Sequence, residues 1–316
     1  MTTDGQPPTR KLLIAAPRGF CAGVVRAYDI LDEVLRREPP PVYCFHEIVH
    51  NRYVVRSFEE RGAVFVDDVE LVPDGARLIF SAHGVSPAVR ERAAAKRLRI
   101  IDATCPLVTK VHLEARKAAR DGFDVVLIGH EDHEEIEGTR GEAPDRTVVV
   151  GSKEDVERLA PENADRVFVV TQTTLSVDDT RDVIDEIRRR APNAEVRNDI
   201  CYATENRQQA VRTIASRAQL VLVVGSQNSS NSNRLREVAA SAGARAYRID
   251  DASEIRDEWL EGVETIGLTA GASVPDVLLD RVIEYLRRRG VSDVEEVRVA
   301  DETQVFALPE ELAPRG

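Results

Sequence analysis

Three of the four cysteines in this chain share one local setting. Cys105 follows the apolar run Ile100-Ile101 and the turn Asp102-Ala103-Thr104, and Pro106 after it suits the first position of a helix. Cys21 follows Leu13-Ile14-Ala15-Ala16 and the turn Pro17-Arg18-Gly19-Phe20. Cys201 follows Val196-Arg197-Asn198-Asp199-Ile200, and it too leads into a run with helical apolar spacing. A cysteine between a strand and a helix sits at the positive end of the helix dipole. The thiolate, the form that binds metal or attacks, is favoured there. Cys44 lies inside the strand-like run Val42-Tyr43-Cys44-Phe45 with no helix start behind it, and reads as a buried apolar thiol.

The shared setting extends into a repeat. Cys21 and Cys105 are 84 residues apart, and Cys105 and Cys201 are 96 apart. After each cysteine-led helix comes a β-type run that ends in polar residues: His50 and Asn51, then His130 to Glu135, then Gln227 to Asn231. His50 lies 29 residues after Cys21, His133 lies 28 after Cys105, and Ser229 lies 28 after Cys201. A further strand in each repeat ends in a second polar turn, at Ser81-Ala82-His83, Thr171-Gln172-Thr173-Thr174 and Ala270-Gly271-Ala272-Ser273. Strand ends of this kind are where open α/β sheets bind ligands.

Three thiolates without a fourth equivalent suit an iron–sulfur cube with one iron left open, since thiolates are the usual ligands of such clusters. Zinc on three cysteines is the other option. His50, His83, His133, Thr173, Ser229, Ser230, Asn231 and Ser273 together form a neutral-to-cationic donor set, and with helix N-termini they suit a phosphate or diphosphate. Taken singly, each hydroxyl reads more readily as a helix cap than as a ligand donor. Glu135 is the one carboxylate placed at these turns. Beside a cluster and an anion its pKa is expected to rise, which suits proton delivery. The neighbouring Glu131, Asp132 and Glu134 read as a solvated acidic loop.

The elements that position these groups alternate between short apolar runs and amphipathic helical runs, the pattern of parallel α/β sheets. The cysteine spacing predicts three related α/β domains with small parallel sheets, at residues 11–98, 99–193 and 194–290. They are expected to form a pseudo-threefold trefoil around the cysteines. Residues 1–10 read as a disordered start and residues 291–316 as an acidic, irregular tail. The 316-residue chain carries a net charge of −12, which argues against a nucleic-acid or membrane surface. No apolar run approaches the roughly 20 residues that span a bilayer. Four cysteines in a chain of this length, with no leader, point to reduced thiols and a cytoplasmic protein.

Several long motifs carry a resemblance. They are Pro17-Arg18-Gly19-Phe20-Cys21-Ala22-Gly23-Val24, Asp102-Ala103-Thr104-Cys105-Pro106, Thr171 to Thr180, Asn228-Ser229-Ser230-Asn231-Ser232-Asn233-Arg234, and Thr269-Ala270-Gly271-Ala272-Ser273. Over Lys11 to Leu286 the sequence closely resembles the LytB/IspH family of 4-hydroxy-3-methylbut-2-enyl diphosphate reductases. The resemblance implies a [4Fe–4S] cluster on Cys21, Cys105 and Cys201. It implies diphosphate binding by His50, His83, His133, Thr173, Thr174, Ser229, Ser230, Asn231 and Ser273, with Glu135 as proton donor and Thr173 assisting. The implied reaction is reductive removal of an allylic hydroxyl, giving isopentenyl and dimethylallyl diphosphates. Electrons would come from a ferredoxin or flavodoxin to a monomeric enzyme.

Departures from the family pattern are few. Glu134 stands where Pro is frequent, Glu205 where Thr is common, and Gln227 where Lys is common. The residues alone also fit a cluster-dependent hydro-lyase acting on a phosphorylated substrate, which would turn over without a reductant. A non-catalytic anion sensor, which would need no iron, is a further reading.

Overall fold

The computed structural model describes residues 9–159 and 164–313, so residues 1–8 of the expected disordered start lie outside it. In chain order its first elements are β1 (Arg10–Ala16), α1 (Ala22–Arg37), β2 (Val42–Phe45), α2 (Arg52–Glu59), β3 (Ala63–Val66), β4 (Arg77–Phe80), α3 (Pro87–Ala95) and β5 (Arg99–Asp102). Then come α4 (Pro106–Arg120), β6 (Asp124–Ile128), α5 (Glu134–Arg140), β7 (Thr147–Val150), α6 (Lys153–Glu157), β8 (Val167–Thr171), α7 (Val177–Arg190) and β9 (Glu195–Val196). The last are α8 (Tyr202–Ala215), β10 (Leu220–Val224), α9 (Ser230–Ser241), β11 (Arg245–Ile249), β12 (Thr265–Ala270), α10 (Asp276–Arg287) and β13 (Val291–Arg298). No helix among the described residues is long and apolar enough to cross a membrane.

The chain divides into two compact units. One contains the N-terminal residues through Cys21, His50–Val54 and Tyr202–Gln304. Its sheet has the order β11-β10-β12-β1-β13, all neighbours parallel. Alternate residues of these strands face opposite layers, as a parallel sheet covered on both sides requires. Leu12, Ile14, Leu222 and Leu268 pack with Leu279, Val282 and Leu286 of α10. Leu13, Ala15, Val221 and Val223 pack with Val211 and Ile214 of α8 and Leu235 of α9.

The second unit contains Ala22–Val49, Val55–Cys201 and the residues from Val305 onward. It holds two parallel sheets, ordered β3-β2-β4-β5 and β7-β6-β8-β9. Val126, Ile128 and Val169 pack on Val183, Ile184 and Ile187 of α7, while Val125, Leu127 and Val170 pack on Val111, Ala115 and Ala118 of α4. Leu78 and Phe80 pack on Val89 and Ala93 of α3.

The three sheets repeat one strand order, so the expected threefold relation is present in the pairing. The phase differs from the boundaries expected at 98/99 and 193/194. In each repeat the strand before a cysteine pairs with the preceding repeat's sheet: β5 on β4, β9 on β8, and β1 on β12. Cysteine spacing gives the period of a repeat but not where to cut it; the backbone partners decide that. The stretch after Gly290 also differs from the irregular tail expected. Its first part is β13, which pairs in parallel with β1 from Arg10↔Val291 to Ala16↔Arg298. Its charged residues Asp293, Glu295, Glu296 and Arg298 are tolerated at a sheet edge, where Glu295 pairs with Lys11 and Arg217 and Glu296 with Arg18, so a strand of low apolar content still forms.

Candidate functional site

Each of the three repeated cysteines is the residue directly before a helix: Cys21 before α1, Cys105 before α4 and Cys201 before α8. Each is half-buried, and none is joined in a disulfide. Each is also tied by its backbone N–H to the strand-end turn of its own unit. Cys105 N donates to Ala82 O at 3.0 Å, Cys201 N to Thr173 O at 3.0 Å, and Cys21 N to Ala272 O at 3.2 Å. The acceptors are Thr173 itself and the neighbours of His83 and Ser273, so each thiol is fastened beside a polar turn. Cys105 occupies the helix cap position of α4, and its side chain makes no capping bond.

Cys44 is fully buried in β2. Burial, with the nearby Glu134 charge adding to it, pushes its thiol far above the ordinary range. A thiol held protonated in a strand interior is a poor ligand.

Two side chains support the cysteine turns: Asp102, the first residue of the Asp102-Ala103-Thr104-Cys105-Pro106 motif, and Arg207, which lies outside the motifs. Asp102 accepts from Thr104 N at 2.9 Å and from the Thr104 hydroxyl, and pairs with Arg90 at 2.8 Å. Burial works against its charge, but these donors outweigh it and hold the carboxyl below its usual range. Arg207 on α8 is fully buried; it donates to Gly19 O at 3.2 and 2.8 Å and to Ala203 O at 2.9 Å, and pairs with Glu302 at 2.9 Å. It therefore pins the turn that leads to Cys21, where Gly19 has φ 66. The clue in the sequence is an arginine among Ala203, Ala210, Val211 and Ile214 on the apolar face of a helix.

Glu135, Thr173, Thr174, His83 and His133 belong to the second unit. Glu135 is 2% exposed, and Thr173 satisfies both of its carboxyl oxygens. The Thr173 backbone N–H donates to Oε1 at 2.7 Å and its hydroxyl donates to Oε2 at 3.0 Å. The structure thus brings the expected acid and its helper into direct contact. His133 is the N-cap of α5: its Nδ1 accepts the Glu135 N–H at 3.1 Å. That nitrogen therefore carries no proton, and Nε2 does. Gln172, fully buried, links the two turns: its Oε1 accepts His130 N at 3.1 Å and its Nε2 donates to Thr174 Oγ1 at 3.1 Å. His112 of α4 packs against Gly84 (φ 80), where a Cβ would lie 3.1 Å from its ring. Glu134, expected to be solvated, is instead 2.7 Å from His83 Nδ1 with its side chain 21% exposed.

His50, Ser229, Ser230, Asn231 and Ser273 belong to the first unit, with Cys21. Ser229 is the N-cap of α9. Its oxygen accepts Ser232 N at 3.3 Å and Ser232 Oγ at 3.0 Å, so the capping reading holds while its own hydrogen stays available for a ligand. Ser230 opens the helix. Asn231 is 4% exposed; its Oδ1 accepts Ala272 N at 2.9 Å, and its Nδ2 is a buried donor without a protein partner among the described residues. Such a group is costly unless a ligand takes its hydrogens. Ser273 donates to His50 O at 2.9 Å, and Asn228 Nδ2 lies 3.4 Å from His50 Nδ1. Gly225 and Gly271 admit this packing, since a Cβ on either would lie 2.1 Å from Ser232 Oγ.

The sequence profile of the family described as LytB protein matches residues 12–287. The chain is 54% identical over 306 residues, 96% of its length and 91% of the relative's, to the 4-hydroxy-3-methylbut-2-enyl diphosphate reductase of Leifsonia xyli. It is 52% identical to the second enzyme of that name in Mycobacterium tuberculosis, over 98% of this chain and 94% of that one. The E-1-hydroxy-2-methyl-but-2-enyl-4-diphosphate reductase of Plasmodium falciparum matches in structure with a TM-score of 0.93, at 38% identity, over 97% of both chains. A second solved (E)-4-hydroxy-3-methyl-but-2-enyl diphosphate reductase, described as the terminal enzyme of the non-mevalonate pathway, matches with a TM-score of 0.64 over 89% of this chain.

Proposed function

We propose, since the chain belongs to the LytB protein family, that it is a 4-hydroxy-3-methylbut-2-enyl diphosphate reductase built on an iron–sulfur centre. The observation that carries this reading is the threefold recurrence of a half-buried cysteine before a helix, each tied to a polar strand-end turn. Thiols outside disulfides and at helix N-termini have the donor chemistry of a [4Fe–4S] site, and Cys44 does not. Cys21, Cys105 and Cys201 would hold such a cluster, which would supply electron storage and Lewis-acid chemistry.

The chain's own residues do the rest. Asn231 Nδ2, the hydroxyl hydrogens of Ser229 and Ser230, and His50 are the diphosphate donors of the first unit, where Ser273, its hydrogen on His50 O, holds the His50 turn; His83, His133 and Thr174 are the candidate donors of the second. Most of these are neutral donors, so affinity comes from desolvated, directed hydrogen bonds rather than bulk positive charge. Overall, the alcohol, two electrons and two protons give the alkene diphosphate and water. Hydroxide is a poor leaving group, so the departing oxygen needs a proton. Glu135 delivers it, and the Thr173 hydroxyl on its Oε2 links carboxyl to substrate. Electrons come from a ferredoxin or flavodoxin type protein, and the enzyme acts as a cytoplasmic monomer. Replacing Cys21, Cys105 or Cys201 singly by Ser should abolish anaerobic iron retention, while Cys44→Ser should retain it. Full iron content in Cys105→Ser protein would overturn the reading.

A further inference from the structure

His83 and His133 lie with ring centroids 5.8 Å apart and planes perpendicular, yet their nitrogens are used differently. His133 Nδ1 accepts a backbone N–H, so the neutral ring already has its hydrogen on Nε2. His83 Nδ1 instead lies 2.7 Å from Glu134 Oε2 and 3.3 Å from Ser81 Oγ. A carboxylate oxygen 2.7 Å from Nδ1 is an ion-pair contact, which favours the imidazolium. As the imidazolium, His83 keeps an Nε2–H for a diphosphate oxygen and puts a full charge behind that bond.

Glu134 is itself held from behind. His46 Nδ1 lies 3.7 Å from Glu134 Oε1 and 3.3 Å from Asp67 Oδ1. His46 is one of two non-glycine residues with positive φ among those described, at 61°. A histidine kept in that sparsely populated conformation at a strand end points to a constrained role. The groups that face His83 within its own unit are thus Ser81, His133 and Glu134, with His46 and Asp67 beyond.

We propose that Glu134 is a positioning residue: its carboxylate bridges His46 and His83 and holds His83 as the cation whose Nε2–H meets the diphosphate. The proposal rests on the reading of His83 as a diphosphate donor. It makes a prediction opposite in sign to simple electrostatics. Removing a carboxylate near an anion site should tighten anion binding by field alone. Through His83, its removal should weaken it, because one charge-assisted bond becomes a neutral or repulsive contact.

The test is calorimetric binding of inorganic diphosphate to the full-length holoprotein, in a double-mutant cycle of Glu134→Gln and His83→Ala. We expect Glu134→Gln to bind about tenfold more weakly than wild type, and to have no effect or a tightening effect once His83 is Ala. Glu134→Asp, which keeps the charge but withdraws it by one methylene, should weaken binding only where His83 is present. Tighter binding by Glu134→Gln alone, or an equal loss with and without His83, would overturn the proposal. Wild-type affinity in His83→Ala protein would overturn the assignment of His83 itself.

Discussion

Replacing Glu135 by Gln separates proton delivery from everything else the side chain does. Gln preserves the volume, and its Oε1 can still accept the Thr173 N–H now at 2.7 Å. Its NH₂ group takes the place of Oε2, so the bond with the Thr173 hydroxyl, now 3.0 Å, reverses direction. Two hydrogen bonds of the carboxyl are exchanged for two of the amide, each a neutral-type bond worth ~0.5–1.5 kcal/mol. Folding stability should therefore change by no more than about 2 kcal/mol, a few degrees in melting temperature for a chain of this size. The chemical step should suffer more. A positioned acid supplies ~10²–10⁴-fold, or about 3–5 kcal/mol of barrier. The assay is single-turnover product formation by protein reduced beforehand, at saturating substrate, with iron content and melting temperature measured on the same sample. Thr173→Val, which keeps the backbone donor and removes the hydroxyl, should lose roughly tenfold, the value of one hydrogen bond. Glu131→Gln, at an exposed site of the same loop, is the control. Wild-type single-turnover rates in iron-replete Glu135→Gln protein would refute the assignment of Glu135 as acid.

Further outcomes follow from the donor set and the cysteine turns. Asn231→Ala and His50→Ala should each weaken binding of inorganic diphosphate by about tenfold to a hundredfold, since charge-assisted bonds contribute ~1.5–3 kcal/mol; unchanged affinity by calorimetry would remove them from the site. Asp102 has a folded-state pKa below its unfolded value, so its contribution is present above about pH 4 and is lost as pH falls through the folded value. Asp102→Asn should therefore destabilise the protein by about 1 kcal/mol at neutral pH. In thermal unfolding, the gap from wild type should close in acid, and a gap independent of pH would contradict this account.

The chemistry of this chain was legible in its sequence because it repeats. One cysteine between strand and helix says little, but three at matching intervals, each followed by polar strand ends, mark a common site. What stayed hidden depended on long-range partners. Whether Arg99–Asp102 closes one repeat or opens the next is decided by its hydrogen bonds to β4, which no local pattern encodes. Val291–Arg298 looked like a tail because an edge strand can be charged and still pair. Gln172 and Arg207 are polar types, and only the fold shows each fully buried and which groups it joins. Glu134 looked like one member of an acidic loop; its pairing with His83 joins residues 51 apart in the chain. The positive φ of His46 has no signature in residue type.

The central claim, that this chain removes an allylic hydroxyl reductively, is tested most directly by anaerobic turnover of 4-hydroxy-3-methylbut-2-enyl diphosphate with and without an electron donor. The account predicts isopentenyl and dimethylallyl diphosphates in amounts that track electrons supplied at two per molecule, and no conversion without the donor. Conversion of the alcohol in the absence of any reductant, or none by iron-replete protein in its presence, would contradict it.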